Sequence, residues 1–114
     1  MLNPAIVYIE YPAADLAATK QFYHQVFNWV FQDYGPDYVS FADGSLHGGF
    51  YRTEGKQGRS PLLVLTAYDL EATQAAIEAA GGCISAPIFP FPGGRRFHFT
   101  DPTGNELAVC RYDD

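Results

Sequence analysis

His98-Phe99-Thr100-Asp101-Pro102-Thr103-Gly104-Asn105-Glu106-Leu107-Ala108-Val109 reads as strand, tight turn, strand. Apolar and polar residues alternate with period two on both sides of Asp-Pro-Thr-Gly. In that turn Asp accepts backbone N–H bonds, Pro fixes φ and Gly closes the reversal. The hairpin sets the faces of the last two strands, and so decides which side chains look into any hollow the chain encloses. The rest of the sequence reads as two copies of a unit ending in such a hairpin.

Working outward, Ala5 to Tyr11 is β-branched and aromatic, a strand that Pro12 is expected to end. Asp15 then caps a helix over Leu16 to Phe27, with Leu16, Thr19, Tyr23, Val26 and Phe27 on one stripe and Lys20, His24 and Gln25 off it. Strands follow over Asn28 to Asp33, Tyr38 to Ala42 and, past the Asp43-Gly44 hairpin signal, Leu46 to Arg52. Thr53 to Ser60 is polar and Gly-rich, the one stretch that reads as a linker. The pattern then recurs. Pro61 to Ala67 is a strand, Asp69 an N-cap, Leu70 to Ala80 a helix, and Gly81-Gly82 its stop. Cys83 to Phe89, Arg95 to Thr100 and Asn105 to Tyr112 are the closing strands, with a Pro-rich loop over Pro90 to Gly94.

The two halves align on residues. Asp15-Leu16-Ala17-Ala18-Thr19 matches Asp69-Leu70-Glu71-Ala72-Thr73 except at Ala17, and Phe41-Ala42-Asp43 with Gly44 matches Phe99-Thr100-Asp101 with Gly104, given a turn two residues longer. Common helix-start residues could coincide once, but two matched anchors in the same order argue for duplication. The expectation is one domain over 1–114, α+β, built from two tandem βαβββ modules at 1–55 and 60–112.

Composition narrows the partners. A chain of 114 residues, 47% hydrophobic and 16% aromatic, can bury one core without disulfides or metals. A net charge of −6 with no run of Lys or Arg disfavours nucleic acid. Cys83 and Cys110 lie in apolar runs without CxxC spacing and read as two buried thiols. The start of the chain lacks a basic n-region and a signal-length apolar stretch, and no segment is long enough to span a membrane. A cytoplasmic location is expected.

Asp15-Leu16 with Phe22-Tyr23 and Asn28-Trp29, Asp69-Leu70 with Gly81-Gly82, and Phe99 to Asn105 together resemble the vicinal-oxygen-chelate superfamily of glyoxalase I, bleomycin-resistance proteins, fosfomycin-resistance enzymes and extradiol dioxygenases. The resemblance covers essentially the whole chain. It implies a cupped eight-stranded mixed sheet around one cavity, often within a dimer, and in metal-using members ligands at four strand positions. Counting from the helix-start and turn residues, those positions fall on Tyr8, Leu62, Ala108 and Gly48. Three have no side-chain donor and neutral Tyr is a poor ligand, so no metal and no other cofactor is expected. A displaced metal site from Glu10, His98 and Glu106 is the chemical alternative.

Strand alternation then sets Ile6 and Glu10 beside Tyr8, Val64 and Thr66 beside Leu62, and Glu106 and Cys110 beside Ala108. The fosfomycin-type members imply that His98 faces the cavity, with Arg96 beside it and Ser40 as its mate in the first half. Glu10, central in an apolar strand, reads as a general base or cation-binding carboxylate, or else as an ion pair with Arg96 or His98 that only organises the site. His98 reads as a proton-transfer group or as a hydrogen-bonded structural histidine. Tyr8, Arg96, Glu106, Leu62 and Ala108 are candidate ligand contacts, Glu106 equally a rim residue beside the turn. His47 is expected to point away from Gly48 as a surface or interface residue, and His24 to face solvent. Gly48-Gly49 reads as a close backbone approach or a bulge. The Pro90 to Gly94 loop reads as a lid or an ordinary hairpin, and Trp29, Phe31, Tyr38, Phe41, Phe50 and Tyr51 mostly as core or sheet-packing residues, with one or two lining the pocket.

These readings leave three functions. One is a metal-independent lyase or isomerase in which Glu10 abstracts a proton beside a carbonyl and Arg96 or His98 steadies the oxyanion. Another is a ligand-sequestering protein of the drug-resistance type. The third is an interaction module whose cavity has filled. A small-molecule ligand and a homodimer go with the first two.

Overall fold

The computed structural model describes residues 5–54 and 61–114. Strand, helix and three strands occur twice: β1 (Ala5–Ala13), α1 (Leu16–Phe27), β2 (Val30–Asp33), β3 (Tyr38–Ala42) and β4 (His47–Arg52), then β5 (Leu62–Thr66), α2 (Leu70–Ala79), β6 (Cys83–Phe91), β7 (Gly94–Thr100) and β8 (Glu106–Tyr112). The class is α+β, an eight-stranded mixed sheet with two helices. Most of the expected linker, 55–60, lies outside the described residues.

The chain divides into two compact units. One, Tyr8–Leu62, runs β2-β3-β4-β1, with β1 and β4 parallel and the other pairs antiparallel. Its core holds Ala13, Val39, Phe41 and Phe50, with Ile9, Tyr11, Tyr23, Trp29 and Phe31 packed against them. Trp29 stacks between Tyr23 and Phe41, at ring-centroid separations of 4.6 and 4.5 Å. The other, from Leu63 onward, runs β5-β8-β7-β6, again with one parallel pair, β5 with β8. Its core holds Ala67, Leu70, Phe97 and Val109. Leu70 and Phe97 are fully buried, each contributing roughly 1.5–3 kcal/mol through the area removed from water.

Both helices start alike. The Asp15 carboxylate accepts the Ala18 N–H and Asp69 accepts that of Ala72, each at 3.0 Å. Thr19 and Thr73 hydroxyls donate back to the carbonyls of Asp15 and Asp69 at 2.8 Å. These caps satisfy orphan N–H groups that would otherwise leave the helix ends unpaired.

Several expected boundaries shift. Pro12 does not end β1, which continues to Ala13, with Pro12 opposite Tyr51. Its fixed φ suits an extended strand, and the ladder loses one donor only. Asn28 belongs to no strand. It closes α1 in the left-handed region (φ 61°), and β2 begins at Val30. The Pro90 to Gly94 stretch is mostly strand: β6 and β7 pair up to Phe91–Gly94, so it is a tight hairpin and not a lid. Pro87 and Pro90 are tolerated because β6 ends the strand order. On α1, Leu16 and Tyr23 pack inward, but Val26 and Phe27 are exposed. Lys20 reaches Asp33 at 2.7 Å, and exposed His24 meets the Trp29 carbonyl at 3.1 Å, so neither simply faces solvent. Cys110 is buried as expected, whereas Cys83 is exposed.

The two Asp turns fix the hairpin registers. Asp43 accepts the N–H groups of Ser45 and Leu46, and its own N–H donates to the Leu46 carbonyl. Asp101 accepts those of Thr103 and Asn105 and also the Asn105 amide, while its N–H donates to the Asn105 carbonyl. The second turn is thus one residue longer than the first, not two. Hydrogen bonds from Asn105 and then Thr103 hold the Asp101 carboxyl at about 2, below its ordinary 3.8. A carboxyl acidified by folding stabilises the native state above its unfolded pKa, and that contribution drains away as pH falls through the folded value. Wild-type stability is therefore expected to fall between about pH 4 and about pH 2. The slope should be shallower in Asp101→Asn, read as urea midpoints against pH.

Candidate functional site

In the Tyr8–Leu62 unit, alternation puts Ile9, Tyr11 and Ala13 of β1 on the packed face and Tyr8, Glu10 and Pro12 on the other. Glu10 is only 8% exposed, so its charge needs hydrogen-bond donors. One comes from β3. The Tyr38 hydroxyl donates to Glu10 Oε2 at 3.0 Å, and a 2.7 Å hydrogen bond joins the Tyr38 and Tyr8 hydroxyls. Tyr38 reaches Glu10 across β4 because the intervening residue is glycine. Gly49 pairs with Glu10 on one side and Ser40 on the other, and a Cβ there would meet the Tyr38 hydroxyl and ring. Burial first, then the Glu10 charge, hold the Tyr38 phenol far above its ordinary pKa, so it stays a proton donor.

One expectation about β4 is corrected by the shorter first turn. Gly48 pairs with Ile9 and Phe41 on the packed face, where a Cβ would meet the Phe41 ring and the Ile9 carbonyl. It is not a corner of the Tyr8 face; Gly49 is. His47 is exposed and points away from Gly48 as expected, but with Gly48 on the packed face that direction is the Tyr8 face, where His47 pairs with Tyr8. A register error of one residue exchanges every side chain between faces. The paired glycines form no bulge, since the ladder is continuous from His47 to Arg52. They are close approaches.

In the unit from Leu63 onward, Arg96, His98, Glu106, Ala108 and Cys110 share a face, as expected from β7–β8 pairing. Arg96 Nε and a terminal nitrogen lie 3.2 and 3.1 Å from His98 Nε2. A guanidinium has only donors, so this nitrogen accepts and the imidazole proton sits on Nδ1. Nδ1 lies 3.4 Å from Glu106 Oε2, which also accepts the Ser85 hydroxyl at 3.2 Å. Glu106 is thus half-buried and bonded into the cluster. The Arg96 guanidinium also lies 6.0 and 5.7 Å from the ring centroids of Phe89 and Phe91, within cation–π range. Ala108 is fully buried, and Leu62 is half-buried at the start of β5.

Residues 5–109 match the sequence model of the Glyoxalase/Bleomycin resistance protein/Dioxygenase superfamily. The chain belongs to that superfamily. No curated protein matches it. Among solved structures, a hypothetical protein from Bacillus halodurans superposes with a TM-score of 0.79 at 9% identity, covering 98% of this chain and 96% of that one. Methylmalonyl-CoA epimerase from Mycobacterium tuberculosis gives 0.74 at 13% identity, covering 96% and 88%. The Mn(II)-bound glyoxalase from Novosphingobium aromaticivorans gives 0.69 at 24% identity, covering 93% of this chain but 38% of that glyoxalase. At these identities the likeness is one of fold.

The divalent ion that the superfamily resemblance implies does not fit the residues present. With Phe41 matched to Phe99, the ladders equate Gly48 with Leu107 and Gly49 with Ala108. The four ligand positions are therefore Tyr8, Gly49, Leu62 and Ala108. Glycine, leucine and alanine offer no side-chain donor, and the Tyr8 hydroxyl is taken up with Tyr38. Among the described residues, no three His, Cys, Asp or Glu side chains are grouped to hold a metal.

The sequence reading gave Tyr38 no role of its own, grouping it with aromatic residues that mostly pack the sheet. Its place two residues before Ser40 gave it the right face, but its reach across a glycine needed the β4 register. Substituting Gly49→Ala should destabilise the fold by about 1–3 kcal/mol through overpacking against Tyr38, read from denaturant midpoints. Imidazole ¹⁵N shifts should show His98 protonated on Nδ1, and Arg96→Ala should release it to a mixture of tautomers.

Proposed function

We propose that this superfamily member binds a small molecule and acts on it as a lyase or isomerase, without a resident divalent ion. Glu10 and His98 are its proton-transfer groups, and Tyr8, Arg96, Glu106, Leu62 and Ala108 bear on the ligand. The observation that carries this reading is the state of Glu10. A carboxylate 8% exposed and hydrogen-bonded by a tyrosine is costly to maintain, and it stands on the face opposite the unit's core. Carboxylates kept in such surroundings are suited to general-base work, removing a proton beside a carbonyl. The fixed tautomer of His98 supports a proton-transfer role for it, since Arg96 and Glu106 hold both ring nitrogens in defined roles.

A second reading, ligand sequestration without turnover, is favoured by the Phe89 and Phe91 rings beside Arg96, which suit a flat ligand. In either case we take the protein to be a homodimer, given the exposed Phe22, Val26, Phe27 and Val30. A cytoplasmic setting is supported by the free, exposed Cys83 thiol. None of the described helices is long and apolar enough to cross a membrane.

A thermal-shift screen of small aldehydes, thiols and cationic drugs, with and without divalent metals, tests both readings. Ligand stabilisation without added metal is expected. With a substrate so found, Glu10→Gln should lower kcat by about 10²–10⁴-fold and leave the unfolding midpoint nearly unchanged. Full turnover in that variant would remove Glu10 from the mechanism. Binding with no turnover in the wild type would leave the sequestering role.

A further inference from the structure

We propose that Glu10 exchanges protons with the ligand indirectly, through Tyr38 as a positioning residue and Tyr8 as the hydroxyl that meets the ligand. This rests on the proposed role of Glu10 as base and changes which atom does the work.

The direction of the hydrogen bonds follows from counting protons. Tyr38 has one hydroxyl hydrogen, and it is given to Glu10 Oε2. The 2.7 Å bond between the two tyrosines is therefore donated by Tyr8. Every hydrogen in the chain Tyr8, Tyr38, Glu10 points toward the carboxylate, and bonds in such a series polarise one another. The same body of side chain could be supplied by phenylalanine at 38. What phenylalanine lacks is the hydroxyl, and that atom makes both contacts. The ring is also brought to Glu10 over a glycine, at a position where any side chain would displace it. Tyr8 is half-buried and Glu10 buried, so the hydroxyl of Tyr8 is the more accessible of the two groups that Tyr38 joins.

The step balances as a transfer of one proton. The Glu10 carboxylate takes the Tyr38 hydrogen, the Tyr38 oxygen takes that of Tyr8, and the Tyr8 oxygen takes a proton from the carbon beside the ligand carbonyl. The ligand keeps the C–H electron pair as its enolate, and Glu10 ends as the neutral acid. Return of the proton to either face or to a neighbouring atom reverses the three moves. Because burial and the Glu10 charge disfavour a Tyr38 phenolate, Tyr38 releases its hydrogen only as it receives the next.

The test needs no ligand. Protein labelled with ¹³C at glutamate carboxyls and tyrosine Cζ is titrated by NMR from about pH 3 to about pH 9, spanning the carboxylate range and stopping short of ordinary phenol ionisation. In the wild type, the Tyr38 and Tyr8 Cζ signals should both step at the pH where the Glu10 carboxyl titrates. Tyr38→Phe should abolish the Tyr8 step while the Glu10 titration remains. Glu10→Gln should abolish both steps, and this arm decides the matter should Tyr38→Phe fail to fold. Absence of a Tyr8 step in the wild type, or its survival in either variant, overturns the relay. Such a failure would leave Glu10 free to act by direct contact, which the turnover of Glu10→Gln tests separately.

Discussion

Two aspartates decide which residues share a face. Asp43 and Asp101 each gather backbone N–H groups at the head of a hairpin, and so fix where β4 and β8 begin to pair with the strands before them. Alternation then carries that choice along each strand. The one-residue difference between the turns puts Gly49, not Gly48, beside Glu10, and turns His47 toward Tyr8. Everything chemical in the first unit depends on that offset.

Each unit resolves its charged groups in its own way. In the first, a buried carboxylate accepts a phenol's hydrogen bond, and that phenol is held in turn by a second hydroxyl. In the second, Arg96 spends two donors on a histidine nitrogen, while Glu106 faces the other ring nitrogen. That arrangement gives the imidazole a defined polarity. Neither cluster offers the oxygen- and nitrogen-rich set that a divalent ion requires.

Local chemistry was the legible part of the sequence. The Asp15 and Asp69 caps, the Asp101 turn and the faces of β1, β7 and β8 depend on neighbours within a few residues, and the structure has them as expected. Family membership followed from the same anchors. What depended on the length of a turn went wrong, as with Gly48 taken for a corner of the Tyr8 face. So did the reading of Pro12 as a stop, since proline is excluded from helix interiors far more strictly than from extended chain. Tyr38 was missed for a different reason: its significance is a contact across an intervening strand, and no periodicity within β3 encodes it.

The space above Gly49 can be filled in only one way at a time. A carboxylate side chain there would occupy the volume that the Tyr38 ring now takes. Ion ligation and the hydroxyl pair are thus rival tenants of one plot. A side chain at 49 would have to push the Tyr38 ring aside, and with it the bond that ring brings to Glu10.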